Sequence, residues 1–161
     1  MSTIVPNDNV LLQGLLNKII LYRFSRNLDK ELRDRNINHS QISLATGRSG
    51  NWFNRSFNEL EDMRVSTLIK TIVAASRIIS QNNRSNPILI SSVIDQEVQE
   101  IASFSLELMD IGIDDMLDPE YGVEHFFLKL KVYVIQMKSH ISQEEAEAYS
   151  RVLERINTKE R

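Results

Sequence analysis

The stretch Ile37-Asn-His-Ser-Gln-Ile-Ser-Leu-Ala-Thr-Gly-Arg-Ser-Gly-Asn-Trp-Phe-Asn-Arg-Ser-Phe57 decides how the chain is read. It spells a short helix, a tight turn at Gly47 and a second short helix. Asn38 is placed to cap the first, because its side-chain oxygen can accept from the free amides of the opening turn. His39 to Thr46 gives a little over two turns, with Ile42 as the clearest apolar position. Gly47 then falls where a helix needs a left-handed residue, a conformation glycine adopts without steric cost. Ser49 can cap the second helix, whose inward side chain is Phe53. Helices this short are marginal alone in water, so both must pack on other helices. Their outer face is polar: Arg48, Ser49, Asn51, Asn54, Arg55 and Asn58.

Three residues fix the motif: the small Ser43, Gly47 four positions later, and the apolar Phe53 six positions after the glycine. This pattern resembles the helix-turn-helix of the Cro/CI-type (XRE-like) repressors. Downstream, Val65-Ser-Thr-Leu-Ile-Lys-Thr-Ile72 resembles the capped fourth helix that closes such domains. The resemblance runs over residues 20–80. Arg48 stands where the family usually has an apolar residue, and Ser56 where a second buried aliphatic is expected, a role open to Phe57 by a local shift.

The resemblance implies double-stranded DNA as partner. It makes Asn51, Asn54 and Arg55 the base readers, Arg suiting guanine and Asn adenine, with ~1–3 kcal/mol of discrimination per fitting pair. Ser40, Arg48 and Asn58 are the implied phosphate contacts, which set register rather than sequence. Ser49 is the cap, within reach of the backbone. Trp52, the only tryptophan, neighbours Phe53 and is either half-buried or displayed. Displayed, it could touch a thymine methyl or a sugar, or anchor a protein partner.

The 161 residues suit one ordinary domain or two small ones. An apolar fraction of 42% supports a core, and 5 Gly with 3 Pro favour helices. With no Cys, disulfides, thiolate zinc sites and cysteine nucleophiles are excluded, which suits a cytoplasmic protein. The start of the chain lacks a signal-peptide pattern, and no apolar run approaches the ~18 residues of a membrane span. The net charge of −3 argues against indiscriminate polyanion binding. Its distribution is uneven: 12 Lys+Arg against 7 Asp+Glu through Arg84, then 7 against 15 from Ser85 onward. The first half can meet phosphates; the second would be repelled by them.

Apolar residues recur at helical spacing from Leu11 to Leu32, as one long helix or two with Ser25 as a cap between them. Ser66 is expected to cap a helix reaching Ser80, and 81–87, ending at Pro87, reads as a linker. Beyond it, Ile88 to Met109 reads as a helix and Ile111 to Leu117 as a loop or broken turn. Asp118-Pro119 is a helix start. Val123 to Met137 is dense in apolar residues and expected to be largely buried, and Ser142-Gln-Glu-Glu145 is a capping box opening a last helix.

Catalytic signals are poor, and neither enzyme activity nor a cofactor is expected. His39, His125 and His140 are scattered and form no HExxH pattern; His39 could meet a phosphate, and His125 reads as a core or interface residue. The acidic residues around Asp110, Asp114, Asp115, Asp118 and Glu120 fail the EF-hand test: counting from Asp110, the sixth position is Asp115 instead of Gly and the twelfth is Tyr121 instead of Glu. Solvated helix caps explain them better.

The expectation is therefore an all-α chain: a helix-turn-helix domain over 1–80, a linker over 81–87, and a helical domain over 88–161 that dimerises or binds a protein, peptide or small-molecule effector. Function is read as sequence-specific transcriptional regulation by a homodimer on a paired operator. The rival from another class is a mobile-element interaction protein, of the kind some anti-CRISPR proteins represent, that uses the same fold to bind a protein.

Overall fold

Helix α1, Asp8–Asp34, runs unbroken through the stretch the sequence leaves as one helix or two. Ser25 lies inside it, because apolar residues keep helical spacing on both sides and no proline intervenes. The computed structural model describes residues 8–47, 65–81 and 88–159. After α1 come α2 (His39–Ala45), α3 (Val65–Gln81), α4 (Ile90–Val93), α5 (Gln96–Ile111) and α6 (Ile113–Met116). A 3-10 turn at Pro119–Tyr121, α7 (Glu124–Lys129), α8 (Lys131–Gln136) and α9 (Gln143–Lys159) complete the order. The fold is all-α; among the described residues there is no strand.

The chain forms two compact units: a central one, Leu21–Gln99, and a terminal one built from Met1–Ile20 with Glu100–Arg161. The sequence places its linker at 81–87, of which 82–87 lie outside the described residues. Ile88 and Val93, beyond that linker, are buried in the central core with Phe24, Leu28, Leu32, Ile37, Ile42, Ala75 and Ile79. Each fully buried aliphatic of this kind stabilises by ~1.5–3 kcal/mol.

The terminal unit buries Leu12, Leu15, Leu16 and Ile19 of α1, Ile101, Phe104 and Leu108 of α5, and Tyr149, Val152 and Ile156 of α9. Polar contacts tie its two chain segments together. Asn9 Oδ1 accepts from the Ile113 amide at 2.8 Å, Lys18 meets Glu145 at 2.5 Å, and Arg151 meets the fully buried Asp8 at 2.7 Å. A Cβ at Gly14 would stand 3.0 Å from Glu145 Oε2, so the glycine makes room for that carboxylate. Phe104 stacks on Phe126 at 4.3 Å and meets Phe127 edge-on at 5.0 Å. The Tyr149 hydroxyl donates to the Phe127 carbonyl, and burial pushes its phenol pKa up.

The capping box at Ser142 is present in both directions: the Glu145 amide donates to Ser142 Oγ and the Ser142 amide to Glu145 Oε1. Asp118 accepts from the Glu120 amide with Pro119 at the first position, but left-handed Gly122 ends that helix after one turn. Three expectations are corrected. The Ile88–Met109 helix is two helices, because Asp95 leaves helical geometry and accepts from the Val98 amide at 3.0 Å, capping α5. Ser66 is itself helical, within α3 (Val65–Gln81), and so is not its cap. The Val123–Met137 stretch is buried on only one face: Val123, Phe127, Leu130, Tyr133 and Met137 are inside, whereas Leu128, Val132 and Ile135 are exposed, and so is His125.

Candidate nucleic-acid interface

The joint between α1 and α2 is set by four residues. Asn36 is left-handed (φ 58°); its amide donates to Arg33 O at 3.0 Å and the Ile37 amide to Leu32 O at 2.9 Å. This is a Schellman motif, in which the residue after the left-handed position also packs against the helix it closes. Ile37 and Leu32 indeed share the central core. Arg35, buried at the end of α1, is held by Glu31 at 2.6 Å.

Asn38 then opens α2 as the sequence predicts. Its Oδ1 accepts from the Gln41 amide at 2.8 Å, and Gln41 Oε1 accepts from the Asn38 amide at 2.8 Å, a reciprocal capping box. Ile42 is fully buried, and α2 packs against α3. Ser43 is buried too, with its hydroxyl donating to the His39 carbonyl at 2.8 Å, and the Thr46 hydroxyl donates to the Ser43 carbonyl at 2.7 Å. Gly47 is left-handed (φ 78°) with open space around its Cβ position. Backbone conformation, not crowding, is what calls for glycine there.

Of the residues assigned to DNA, Ser40 sits on the exposed first turn of α2. Arg48, Ser49, Asn51, Trp52, Asn54, Arg55 and Asn58 lie outside the described residues, as does Phe53. His39, for which a phosphate contact is one expectation, has a partner within the fold: its Nε2 is 2.5 Å from Asp29 Oδ1. Asp29 also meets Arg33 at 3.0 Å, so one carboxylate ties α1 to the start of α2. Only the Asp29–Arg33 spacing of four was visible in the sequence; the His39 partner was not.

Local carboxylates match the described cations of α1 next to this joint: Lys30 pairs with Asp34 at 2.9 Å, and Arg33 and Arg35 are paired as above. The hydrogen bond from Lys30 holds the Asp34 pKa low and its partner's high. On α3, Lys70 and Arg77 are exposed. Taken whole, the central unit has 11 Lys+Arg against 8 Asp+Glu and the terminal unit 8 against 14. The charge asymmetry therefore follows the two units. No helix of the described residues is long and apolar enough to cross a membrane. No protein-family model, curated protein or solved structure matches the chain.

Proposed function

We propose that the chain is a sequence-specific DNA-binding transcriptional regulator that acts as a dimer on a paired operator. The observation that carries this reading is the α2 turn: a helix capped at Asn38, seated by Ile42, ended by left-handed Gly47 and packed on α3. Such a turn is what the first half of a helix-turn-helix requires, and the surplus of cations in the same unit favours phosphate contact. In this reading Asn51, Asn54 and Arg55 read bases, Ser40, Arg48 and Asn58 touch phosphates, and Ser49 and Trp52 border the groove.

Selection of bound sequences from random DNA by the purified protein tests the proposal. A recovered motif is expected, with affinity falling steeply as salt rises. Arg55→Ala and Asn51→Ala should relax the preference, whereas Arg48→Ala should weaken binding to all sequences alike. The second reading, a mobile-element protein that binds another protein, is favoured by the exposed Leu44 (64%) on α2 and by Ile69 and Val73 on α3. Absence of salt-dependent DNA binding, with a protein co-purifying, would select it.

A further inference from the structure

Helix α3 turns two faces to different surroundings. Thr71, Ala74, Ala75 and Ile79 are buried, the last two in the central core. On the opposite side Ile69 (51% exposed), Val73 (47%) and exposed Arg77 follow one another at intervals of four, with exposed Lys70 beside Ile69. Residues at that interval form one ridge of a helix, the surface against which a second helix packs.

The charge along this ridge is of one sign. Val65–Gln81 contains no Asp or Glu, and neither Lys70 nor Arg77 forms an ion pair among the described residues. The cations of the same unit on α1 are engaged. Arg23 meets Asp95 and Glu97, Arg26 lies over the Tyr22 ring, and Lys30, Arg33 and Arg35 meet Asp34, Asp29 and Glu31. On α3, then, an apolar row is bordered by positive charge that nothing local neutralises. A bare polyanion does not match it, because phosphates would leave Ile69 and Val73 in water. A basic surface would repel the two cations, and a purely apolar one would strip them of water with no counter-charge.

We propose that the outer face of α3 docks an amphipathic helix of a partner protein, whose apolar residues cover Ile69 and Val73 and whose carboxylates meet Lys70 and Arg77. The two cations stand about 10 Å apart along the helix axis, so carboxylates one heptad apart on the partner reach both. This docking deepens the protein-binding reading and rests on it. No residue assigned to DNA lies on α3, so DNA binding stands or falls separately.

Fluorescence anisotropy of the full chain with two labelled helical peptides tests it, one flanking a leucine face with glutamates and the other, otherwise identical, with lysines. The glutamate peptide is expected to bind, less tightly as salt rises, and the lysine peptide about ten-fold more weakly. Val73→Asp and the double variant K70E/R77E should each weaken the glutamate peptide about ten-fold or more while circular dichroism stays unchanged, and K70E/R77E should gain affinity for the lysine peptide. Equal affinity for the two peptides, no binding of either up to millimolar concentration, or indifference to K70E/R77E would overturn the docking. So would a DNA duplex whose binding needs Lys70 and Arg77 and ignores Val73→Asp, for the ridge would then be a phosphate contact. A protein that co-purifies with the chain and stays bound to K70E/R77E would overturn the docking and leave the protein-binding reading intact. Should Val73→Asp unfold, the charge reversal and its rescue decide.

Discussion

The α1–α2 joint of the central unit and the seam of the terminal unit are held by different kinds of contact, although Arg23 and Asn27 also reach Asp95 across 72 and 68 positions within the central unit. In the central unit, the Schellman turn at Asn36, the Asn38 capping box and left-handed Gly47 all act between residues at most five apart. In the terminal unit, Asn9 reaches Ile113, Lys18 reaches Glu145 and Asp8 reaches Arg151, across 104, 127 and 143 positions of sequence. Short-range backbone devices fix the angle at which a helix leaves its neighbour. Long-range polar contacts instead fix which segments are neighbours, and on desolvated charges they are sensitive to loss of either partner.

This contrast predicts where each unit breaks. The largest effect is expected at Ile42→Ala. It empties a fully buried position that seats α2 in the central core, and should cost about 3 kcal/mol in urea unfolding. Caps alone cannot hold a seven-residue helix in place. A loss below about 1 kcal/mol would mean that the site collapses around the void.

Next comes Lys18→Ala in the terminal unit. Glu145 is buried and would keep only its Ser142 bonds, so the cost should be about 2 kcal/mol. Glu145→Gln combined with Lys18→Ala should recover part of that loss, because no buried charge is then left behind. A double variant as unstable as Lys18→Ala would assign the effect to the lysine stem instead.

Gly47→Ala should cost about 1 kcal/mol, the penalty of an L side chain at positive φ, since its Cβ meets nothing. If the proposed function holds, this variant should weaken DNA binding by more than its stability loss explains, because the turn aims the residues after it. An unchanged melting temperature would show that the turn relaxes freely.

The short-range devices are also the ones legible in the sequence. Asn38, Gly47, Asp118-Pro119 and the Ser142–Glu145 box each declare themselves within a few residues, through capping chemistry that needs no tertiary partner. Asp95 carried the same signal but was hidden inside a continuous apolar pattern from Ile88 onward. The long-range set was not legible: nothing local marks Asp8 as the partner of Arg151, or Asp29 as the partner of His39. The exposed faces are not legible in the sequence for a related reason. Apolar density over Val123–Met137 reads as burial, and only the packing of Phe127 against Phe104 shows which half of the pattern turns inward.

Acid provides the finest comparison, because each unit has a carboxyl partly shielded from solvent that is nonetheless held below its ordinary pKa, unlike the exposed Asp34. Burial acts to raise Glu145 and is outweighed by bonds from Lys18 and from the Ser142 amide and hydroxyl. Burial likewise acts to raise Asp95, where Arg23, the Val98 amide and Asn27 outweigh it. A depressed folded pKa gives stability that is complete above the unfolded value and lost as pH falls through the folded one. The ordinary values are 4.5 for Glu145 and 3.8 for Asp95. Urea midpoints should therefore hold level down to about pH 5 and decline below it. Glu145→Gln should lower the plateau and flatten the upper part of that decline, and Asp95→Asn the lower part, so the terminal unit begins to loosen first. If the two variants trace the same acid limb as the wild type, other carboxylates govern acid unfolding, and the contrast between the units does not extend to pH.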